Sequence, residues 1–215
     1  MAWPPTLVIF DCDGVLVDSE LPANRTFRLM LAEQGLELSL AETVGLLKGL
    51  SLPACGALLK ERFGLVLPDD FFERLQQRTY QAFQDELNAV PGVQDAVEGL
   101  ALPFCVASSG AIEKMHFTLG LTGLLELFRD RMFSAEQVAR GKPFPDLFLH
   151  AAAQMGHSPD ACVVIEDSLP GVKAAQAAGM NVLGFAGTEL ADADELGAAG
   201  ATVFSDMRDL AALLA

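Results

Sequence analysis

Short runs of apolar, strand-forming residues alternate with helical periodicity over much of the chain. These runs predict strands at residues 6–10, 104–107, 130–134, 162–165, 181–185 and 201–204. Most of them are continuously apolar, which is typical of strands buried on both faces of a parallel sheet. The helical segments between them, such as 145–155, supply the crossovers that a parallel sheet requires. The pattern therefore predicts an α/β fold, with a parallel sheet core flanked by helices.

The stretch from Ser19 to Glu86 has a different texture, because helical periodicity dominates it and no good strand pattern occurs. The periodicity is interrupted at Gly35, Pro53, Gly64 and Pro68. We expect three or four helices here, inserted after the first strand. The predicted domains are an α/β core of residues 1–17 and 89–215, and an all-helical insertion of residues 18–88.

Acidic residues outnumber basic ones, and this narrows the range of partners. The chain has 29 Asp and Glu against 14 Lys and Arg, a formal net charge of −15. No run of Lys or Arg offers a basic face, so nucleic acid is not an expected partner. No apolar window approaches the ~18 residues that span a bilayer, so a membrane is not expected either. An anionic substrate would need a local positive site, such as a metal ion and a few lysines.

The cysteines indicate neither a zinc site nor a disulfide framework. They are far apart and form no CxxC pattern: Cys12, Cys55, Cys105 and Cys162. Two of them fall in predicted strands, where cysteine behaves as a small apolar residue. A reducing cytoplasm is the expected compartment.

Polar clusters follow three of the predicted strands, at the edge where parallel sheets collect ligands. The clusters are Asp11 to Asp13, Ser108 with Ser109, and Glu166 with Asp167. Asp11 and Asp13 are two residues apart, so an extended backbone would turn both carboxylates to one side. Acids this close repel each other, and a cation beside them would relieve the conflict.

Each of these features has a plainer structural explanation when it is taken alone. Aspartate and glycine are common in turns, a serine often caps the following helix, and an acid pair is favoured at a helix start. A single lysine such as Lys142 is usually solvated. The features point to chemistry because they occur together and at one predicted sheet edge.

Residues 9–20, which read IFDCDGVLVDSE, resemble the first signature of the haloacid dehalogenase superfamily almost residue for residue. The other three family motifs are matched in order: Ser108 in VASSG, Lys142 in GKPFPD, and Glu166 with Asp167 in VVIEDSLPGVKAAQAAGM. The resemblance covers essentially the whole chain. It implies a Rossmann-like core with an inserted helical cap, and the activity of a phosphoric monoester hydrolase.

The resemblance also implies the roles of the two acids in the first motif. Asp11 is expected to attack phosphorus and form an aspartyl phosphate. Asp13 is expected to protonate the leaving oxygen and then to deprotonate the attacking water. A protonated Asp13 would need a raised pKa, which crowding by other carboxylates can supply.

Mg²⁺ is the cofactor that the resemblance implies. The carboxylates of Asp11 and Asp167 and the backbone carbonyl of Asp13 are the expected ligands. Glu166 is expected to support the ion directly or through water. Oxygen ligands of this kind suit a hard cation.

The phosphoryl group is expected to be held by residues of the second and third motifs. Ser108 would donate a hydrogen bond to a phosphoryl oxygen, as would the backbone N–H groups of Ser109 and Gly110. Lys142 would neutralise charge on the phosphoryl group and steady the nucleophile. Phosphoryl transfer depends mainly on such positioning and charge stabilisation.

The helical insertion resembles the cap of a subfamily that contains sugar-phosphate phosphatases and β-phosphoglucomutase. Residues 47–51 look like its specificity loop, in which Lys48 could reach the substrate, although a solvated lysine is an equally good interpretation. Glu20, at the start of the first cap helix, could also face the substrate. Leu52 and Ala23 stand about where the mutase has an arginine and a histidine, which favours hydrolysis over intramolecular transfer.

Residues 103–110, with Lys114 and Met115, look closer to 6-phosphogluconate-type phosphatases. The predicted substrate is therefore a small phosphorylated metabolite, a sugar phosphate or sugar-acid phosphate, and the protein a monomer or homodimer. The main alternative is a sugar phosphomutase. Haloacid dehalogenation is disfavoured because it needs neither Mg²⁺ nor the acid at Asp13. A non-enzymatic phospho-aspartate switch is disfavoured because such a receiver domain would be shorter and would lack the insertion.

Overall fold

The computed structural model describes residues 4–47, 50 and 52–215. These residues form two compact units. One unit runs through Asp18 and resumes from Asn88 to Ala215, and the other is Ser19–Leu87. The first unit carries the sheet, and the second is built from helices.

The first unit is built on a parallel sheet that has six strands in the described part of the chain. Their bounds are β1 Leu7–Phe10, β2 Phe104–Ser108, β3 Met132–Ser134, β4 Cys162–Glu166, β5 Asn181–Phe185 and β6 Thr202–Phe204. Each predicted strand is present, and its ends differ from the prediction by two residues at most. The order across the sheet is β3-β2-β1-β4-β5-β6. The predicted α/β, Rossmann-like fold class is confirmed.

Strand β1 lies between β2 and β4, so three strand ends meet at its carboxyl end. Phe10, the last residue of β1, is paired with Val106 of β2 and with Ile165 of β4. The chain passes from β1 outward through β2 to β3 and then returns to β4, on the other side of β1. Parallel sheets bind ligands at such a reversal of strand order. The polar residues that follow β1, β2 and β4 are thus delivered to one edge.

The second unit has only helices as regular structure in its described residues. They are α1 Glu20–Glu33, α2 Leu40–Leu47, α3 Leu52–Phe63 and α4 Phe71–Glu86. Side chains from α1, α3 and α4 form one buried apolar cluster, which includes Phe27, Leu59 and Phe71. The break predicted at Pro53 corresponds to the start of α3. Pro53 takes the second position of this helix, where its missing N–H removes no helical hydrogen bond.

The described residues of the first unit also form helices, several of which pack against the sheet. They are α5 Val93–Glu98, α6 Ile112–Leu121, α7 Leu125–Phe128, α8 Asp146–Met155, α9 Leu169–Ala177, α10 Ala193–Ala198 and α11 Leu210–Leu213. Helices α8 and α9 contribute to a buried cluster with β1, β2 and β4, which includes Ile9, Phe148 and Val164. Each fully buried side chain of this size stabilises the fold by about 1.5–3 kcal/mol. The packed core therefore holds the strands, and the residues at their ends, in fixed positions. Among the described residues, no helix has the length and apolar character needed to cross a membrane.

Candidate active site

Asp11 directly follows β1 and is almost completely buried. Its backbone N–H donates to the carbonyl oxygen of Ile165 at 2.9 Å, which continues the pairing of β1 with β4 by one residue. Its carboxylate oxygen Oδ1 accepts a hydrogen bond from Lys142 Nζ at 2.6 Å. Sheet pairing and an ion pair therefore fix the position of this side chain.

Lys142 joins two carboxylates that come from different strand ends. Its Nζ also donates to Glu166 Oε1 at 2.6 Å, and its side chain is only 5% exposed. The ammonium group also lies near Phe148, whose ring centroid is 4.9 Å from Nζ. The lysine precedes α8 and reaches the end of β1 from there. One buried cation is shared by Asp11 and Glu166.

Burial and charge shift the protonation equilibria of this pair. Burial, with a further contribution from the charge of Glu166, raises the pKa of Asp11 to about 7, although Lys142 acts in the opposite direction. Burial also disfavours the charged form of Lys142, but Asp11 and Glu166 outweigh it and raise the pKa of the lysine. Lys142 therefore stays positively charged at neutral pH, while Asp11 is close to its titration point.

Glu166 is held on both of its carboxylate oxygens. Oε1 accepts from Lys142, and Oε2 accepts from the backbone N–H and the hydroxyl of Ser168, both at 2.8 Å. The Ser168 hydroxyl in turn accepts from the N–H of Gly171 and caps α9. A Cβ atom at Gly171 would lie 1.8 Å from Glu166 Oε1, so only glycine leaves room for this carboxylate.

Asp167 completes a group of three carboxylates that we call the carboxylate cluster: Asp11, Glu166 and Asp167. Each residue contributes one carboxylate oxygen, and these three oxygens lie within 4.8 Å of one another. Gly14 makes room for this arrangement, because it has a φ of +77° and a Cβ there would lie 1.9 Å from Asp167 Oδ2. Converging carboxylate oxygens are the ligands that Mg²⁺ prefers, so the residues fit such an ion.

Asp13 contacts a lysine that has no counterpart among the predicted site residues. Lys114 Nζ, on the first turn of α6, donates to Asp13 Oδ2 at 2.8 Å. Both side chains are partly exposed, at 30% for Lys114 and 24% for Asp13. Burial disfavours the charge on Lys114, but Asp13 outweighs it and raises the pKa of the lysine. Asp13 is therefore held by a lysine of its own, as Asp11 is held by Lys142.

The loop after β2 lies beside this second pair. Ser108 is buried, and its Oγ accepts a hydrogen bond from the N–H of Gly110 at 3.0 Å. The carbonyl oxygen of Gly110 accepts from the hydroxyl of Ser134 at 2.8 Å, which ties the loop to the end of β3. A Cβ at Gly110 would lie 3.4 Å from Ser108 Oγ and 3.9 Å from Asp13 Oδ2. The turn therefore brings Ser108 to the same edge as Asp13.

The family relationship is decided by a match that covers most of the chain. Residues 5–179 match the model of the haloacid dehalogenase-like hydrolase family. The chain belongs to the haloacid dehalogenase-like hydrolases. The resemblance of the chain to this superfamily is thereby confirmed.

Individual relatives of this hydrolase agree with the family match. The chain is 33% identical over 179 residues to the 6-phosphogluconate phosphatase of Escherichia coli, covering 83% of this chain and 81% of that protein. A haloacid dehalogenase-like protein of unknown function from Agrobacterium tumefaciens superimposes with a TM-score of 0.90 at 35% identity, and 97% of each chain is covered. A family hydrolase from Deinococcus radiodurans, solved with bound phosphate and sodium, gives a TM-score of 0.87 at 34% identity, covering 99% of this chain and 96% of that one.

The structure of the hydrolase brings most of the predicted site residues to one edge of the sheet. Lys142 lies against Asp11 and Glu166, and Asp167 lies within the carboxylate cluster. Asp13, Ser108 and Gly110 lie at the same edge, and Ser109, between the last two, is exposed. Glu20 begins α1 in the second unit, so its substrate role stays a prediction. Lys48 is outside the described residues.

Lys114 is the site residue that the sequence interpretation missed. In the sequence, Lys114 is noted only as part of a segment that looks similar to 6-phosphogluconate-type phosphatases, and no role is assigned to it. A physical signal is present, because Lys114 is in the first turn of α6, where the positive end of the helix dipole disfavours a cation. A lysine in that place calls for an anionic partner, and Asp13 is that partner.

Cys12, between the two acids, is buried. Burial, followed by the charges of Asp13 and Asp11, raises the pKa of its thiol well above the usual value. The reactive form of cysteine is the thiolate, which these surroundings disfavour. They therefore favour a carboxylate, rather than this thiol, as the nucleophile at this edge.

Proposed function

We propose that this hydrolase is a Mg²⁺-dependent phosphatase that cleaves a small phosphorylated metabolite, a sugar phosphate or sugar-acid phosphate, through an aspartyl phosphate on Asp11. Two of its relatives in Escherichia coli carry the names of phosphatases, 6-phosphogluconate phosphatase at 33% identity and hexitol phosphatase B at 30% identity. The observation that carries the proposal is the contact of one buried lysine, Lys142, with both Asp11 and Glu166, next to Asp167.

The first half of the proposed reaction transfers the phosphoryl group to the protein. An oxygen of Asp11 forms a bond to phosphorus while the bond from phosphorus to the ester oxygen breaks. Asp13 gives a proton to the departing alkoxide, which is too basic to leave unprotonated at a useful rate. Ser108 stabilises the phosphoryl group during its transfer. Its Oγ accepts a hydrogen bond from the N–H of Gly110, so its own hydroxyl proton can be donated to a phosphoryl oxygen.

The second half restores the carboxylate. Asp13, now ionised, takes a proton from a water molecule. The oxygen of that water attacks phosphorus, and the bond between phosphorus and Asp11 breaks. Phosphate leaves, and Asp13 again carries the proton with which it began. Lys142 keeps a positive charge beside the reacting group throughout, because its contacts with Asp11 and Glu166 favour the ammonium form.

A Mg²⁺ ion, when bound, supplies positive charge that offsets the charge of the phosphoryl oxygens. The carboxylates of Asp11 and Asp167 and the backbone carbonyl of Asp13 would hold it. Glu166 would support this site indirectly rather than as a direct ligand, because both of its oxygens already accept hydrogen bonds from Lys142 and Ser168. Orienting partners of this kind normally tune a metal site.

The experiment is a panel of phosphate esters with release of inorganic phosphate as the readout. It contains 6-phosphogluconate, sorbitol 6-phosphate, glucose 6-phosphate, glucose 1-phosphate and p-nitrophenyl phosphate, each with Mg²⁺ and with EDTA. We expect Mg²⁺-dependent release from p-nitrophenyl phosphate and from at least one sugar ester, and none from the Asp11→Asn variant.

Other outcomes identify the alternatives. Conversion of glucose 1-phosphate to glucose 6-phosphate without phosphate release would make the protein a mutase. A single stoichiometric phosphorylation without turnover would make it a phospho-aspartate switch. Undiminished release in EDTA would remove the metal from the proposal.

A further inference from the structure

The inner face of α6 contacts the loop that carries both predicted catalytic acids. Lys114 reaches Asp13 Oδ2 at 2.8 Å. One turn further along, Thr118 is buried, and its hydroxyl donates to the carbonyl oxygen of Lys114 at 3.0 Å. Residues four apart share one face of a helix, so Lys114 and the buried Thr118 lie on the same side of α6. The buried side of the helix thus brings Lys114 to the Asp11–Asp13 loop.

The path of the Lys114 side chain depends on the loop after β2. A Cβ at Gly110 would lie 3.3 Å from Lys114 Cδ, closer than ordinary contact between such atoms. The absence of a side chain at Gly110 therefore leaves the space through which the lysine passes to Asp13. The same glycine is fixed by Ser134 through its carbonyl oxygen. Two strand ends thus define the route of this side chain.

The placement of Lys114 is unfavourable for the helix that carries it. A cation in the first turn of α6 meets the positive end of the helix dipole, and partial burial adds a desolvation cost. Contact with Asp13 offsets both. A local arrangement that costs stability in this way is expected where it serves function.

We propose that Lys114 is a positioning residue for Asp13: its contact with the carboxyl oxygen Oδ2 fixes the orientation in which this carboxyl group meets the leaving group. This role rests on the proposed function, in which Asp13 is the general acid. Lys142 serves Asp11 in the same way, so each acid of the first motif has its own lysine from a different element. Lys114 acts through Asp13 and is not itself assigned to the substrate.

The test compares two substrates of the same shape that differ in the basicity of the leaving group. Phenolate is a strong base and needs a proton from the enzyme, whereas p-nitrophenolate leaves readily without one. The kcat/KM values of phenyl phosphate and p-nitrophenyl phosphate report the steps up to departure of the leaving group. A defect in proton delivery therefore appears mainly with phenyl phosphate.

We expect Lys114→Met to lower kcat/KM for phenyl phosphate by roughly 10- to 100-fold and that for p-nitrophenyl phosphate by less than about 5-fold. Lys114→Arg, which keeps a cation at this place, should recover part of the loss. Lys173→Met, at an exposed position of α9, is the matched control and should leave both values near those of the natural protein. Thermal unfolding of each variant verifies that it is folded.

Equal losses with the two esters would overturn the positioning role, as would a change confined to KM, which would make Lys114 an anion-binding residue. No loss with either ester would overturn it as well. Asp13→Asn separates this failure from that of the proposed function. If Asp13→Asn itself fails to distinguish the two esters, Asp13 is not the general acid, and the proposed mechanism fails first.

Discussion

The ammonium group of Lys142 lies 2.6 Å from Oδ1 of Asp11, although 131 residues separate the two along the chain. The same nitrogen contacts Glu166, which is fully buried. A single cation thus relieves the repulsion between two carboxylates at the edge of the sheet. Loss of that cation would leave two acids facing each other with little access to water.

Replacement of Lys142 should impair both stability and turnover. We expect Lys142→Met to lower the free energy of unfolding by about 3–5 kcal/mol, because one partner of a buried ion pair is removed. Turnover should fall by about 10²-fold or more, since a preorganised charge beside the phosphoryl group is lost. Urea titrations and steady-state kinetics measure the two effects. The exposed Lys60→Met variant, with a change within about 0.5 kcal/mol, is the control.

A smaller effect would change the interpretation of this contact. If Lys142→Met were as active as the natural protein, the lysine would serve only to neutralise Glu166 and Asp11. If the variant were unstable but recovered full turnover at saturating Mg²⁺, the ion would replace the lysine rather than act with it.

Binding of Mg²⁺ should depend on pH near neutrality. The pKa of Asp11 is raised to about 7 in the metal-free protein, so below that pH the carboxyl group carries a proton that the ion must displace. We expect the Kd for Mg²⁺ to rise by about tenfold for each pH unit below 7 and to level off above it. Isothermal titration calorimetry at pH 6 and pH 8, in buffers of different ionisation enthalpy, measures both affinity and proton release.

Asp11→Asn provides the comparison, because an amide has no proton to release in this range. The variant should bind Mg²⁺ weakly and with little dependence on pH. A natural protein whose affinity is the same at pH 6 and pH 8 would show that Asp11 is not a ligand or is not protonated in the free site.

A side chain at Gly14 should weaken the metal site. We expect Gly14→Ala to displace Asp167, because the new Cβ would lie 1.9 Å from Asp167 Oδ2. Gly123→Ala is a close match, since Gly123 has a φ of +78° and its added methyl group would meet no atom of the described residues within 4 Å. Both variants lose about 1–2 kcal/mol to backbone strain, but only the first should lose Mg²⁺ affinity. Equal Mg²⁺ affinities in the two variants would separate Asp167 from the metal site.

Much of the candidate active site at the edge of the sheet could be predicted, because the end of an apolar strand can be recognised in a sequence. The apolar runs before Asp11, Ser108 and Glu166 fix where each strand stops, and parallel pairing then brings these stops together. Lys142 could not be placed in this way, since it follows no strand directly. Its position came from the resemblance of its motif, and the structure shows the contact.

Other features could not be predicted, for identifiable reasons. The short helices α5, α7 and α10 span four to six residues, too few to show helical periodicity. Lys114 was missed because its partner is 101 residues away, and the only local signal is a cation in the first turn of a helix. The opposing effects of burial and neighbouring charge on Asp11 also depend on packing that a sequence does not display.

Mass spectrometry of the acid-quenched enzyme tests the central claim most directly. The protein is mixed with p-nitrophenyl phosphate and Mg²⁺, quenched during turnover, digested and sequenced by fragmentation. We expect the added mass of one phosphoryl group on Asp11, labile to hydroxylamine, and no adduct in Asp11→Asn. A phosphoryl group found on another residue, or full turnover by Asp11→Asn, would contradict the account.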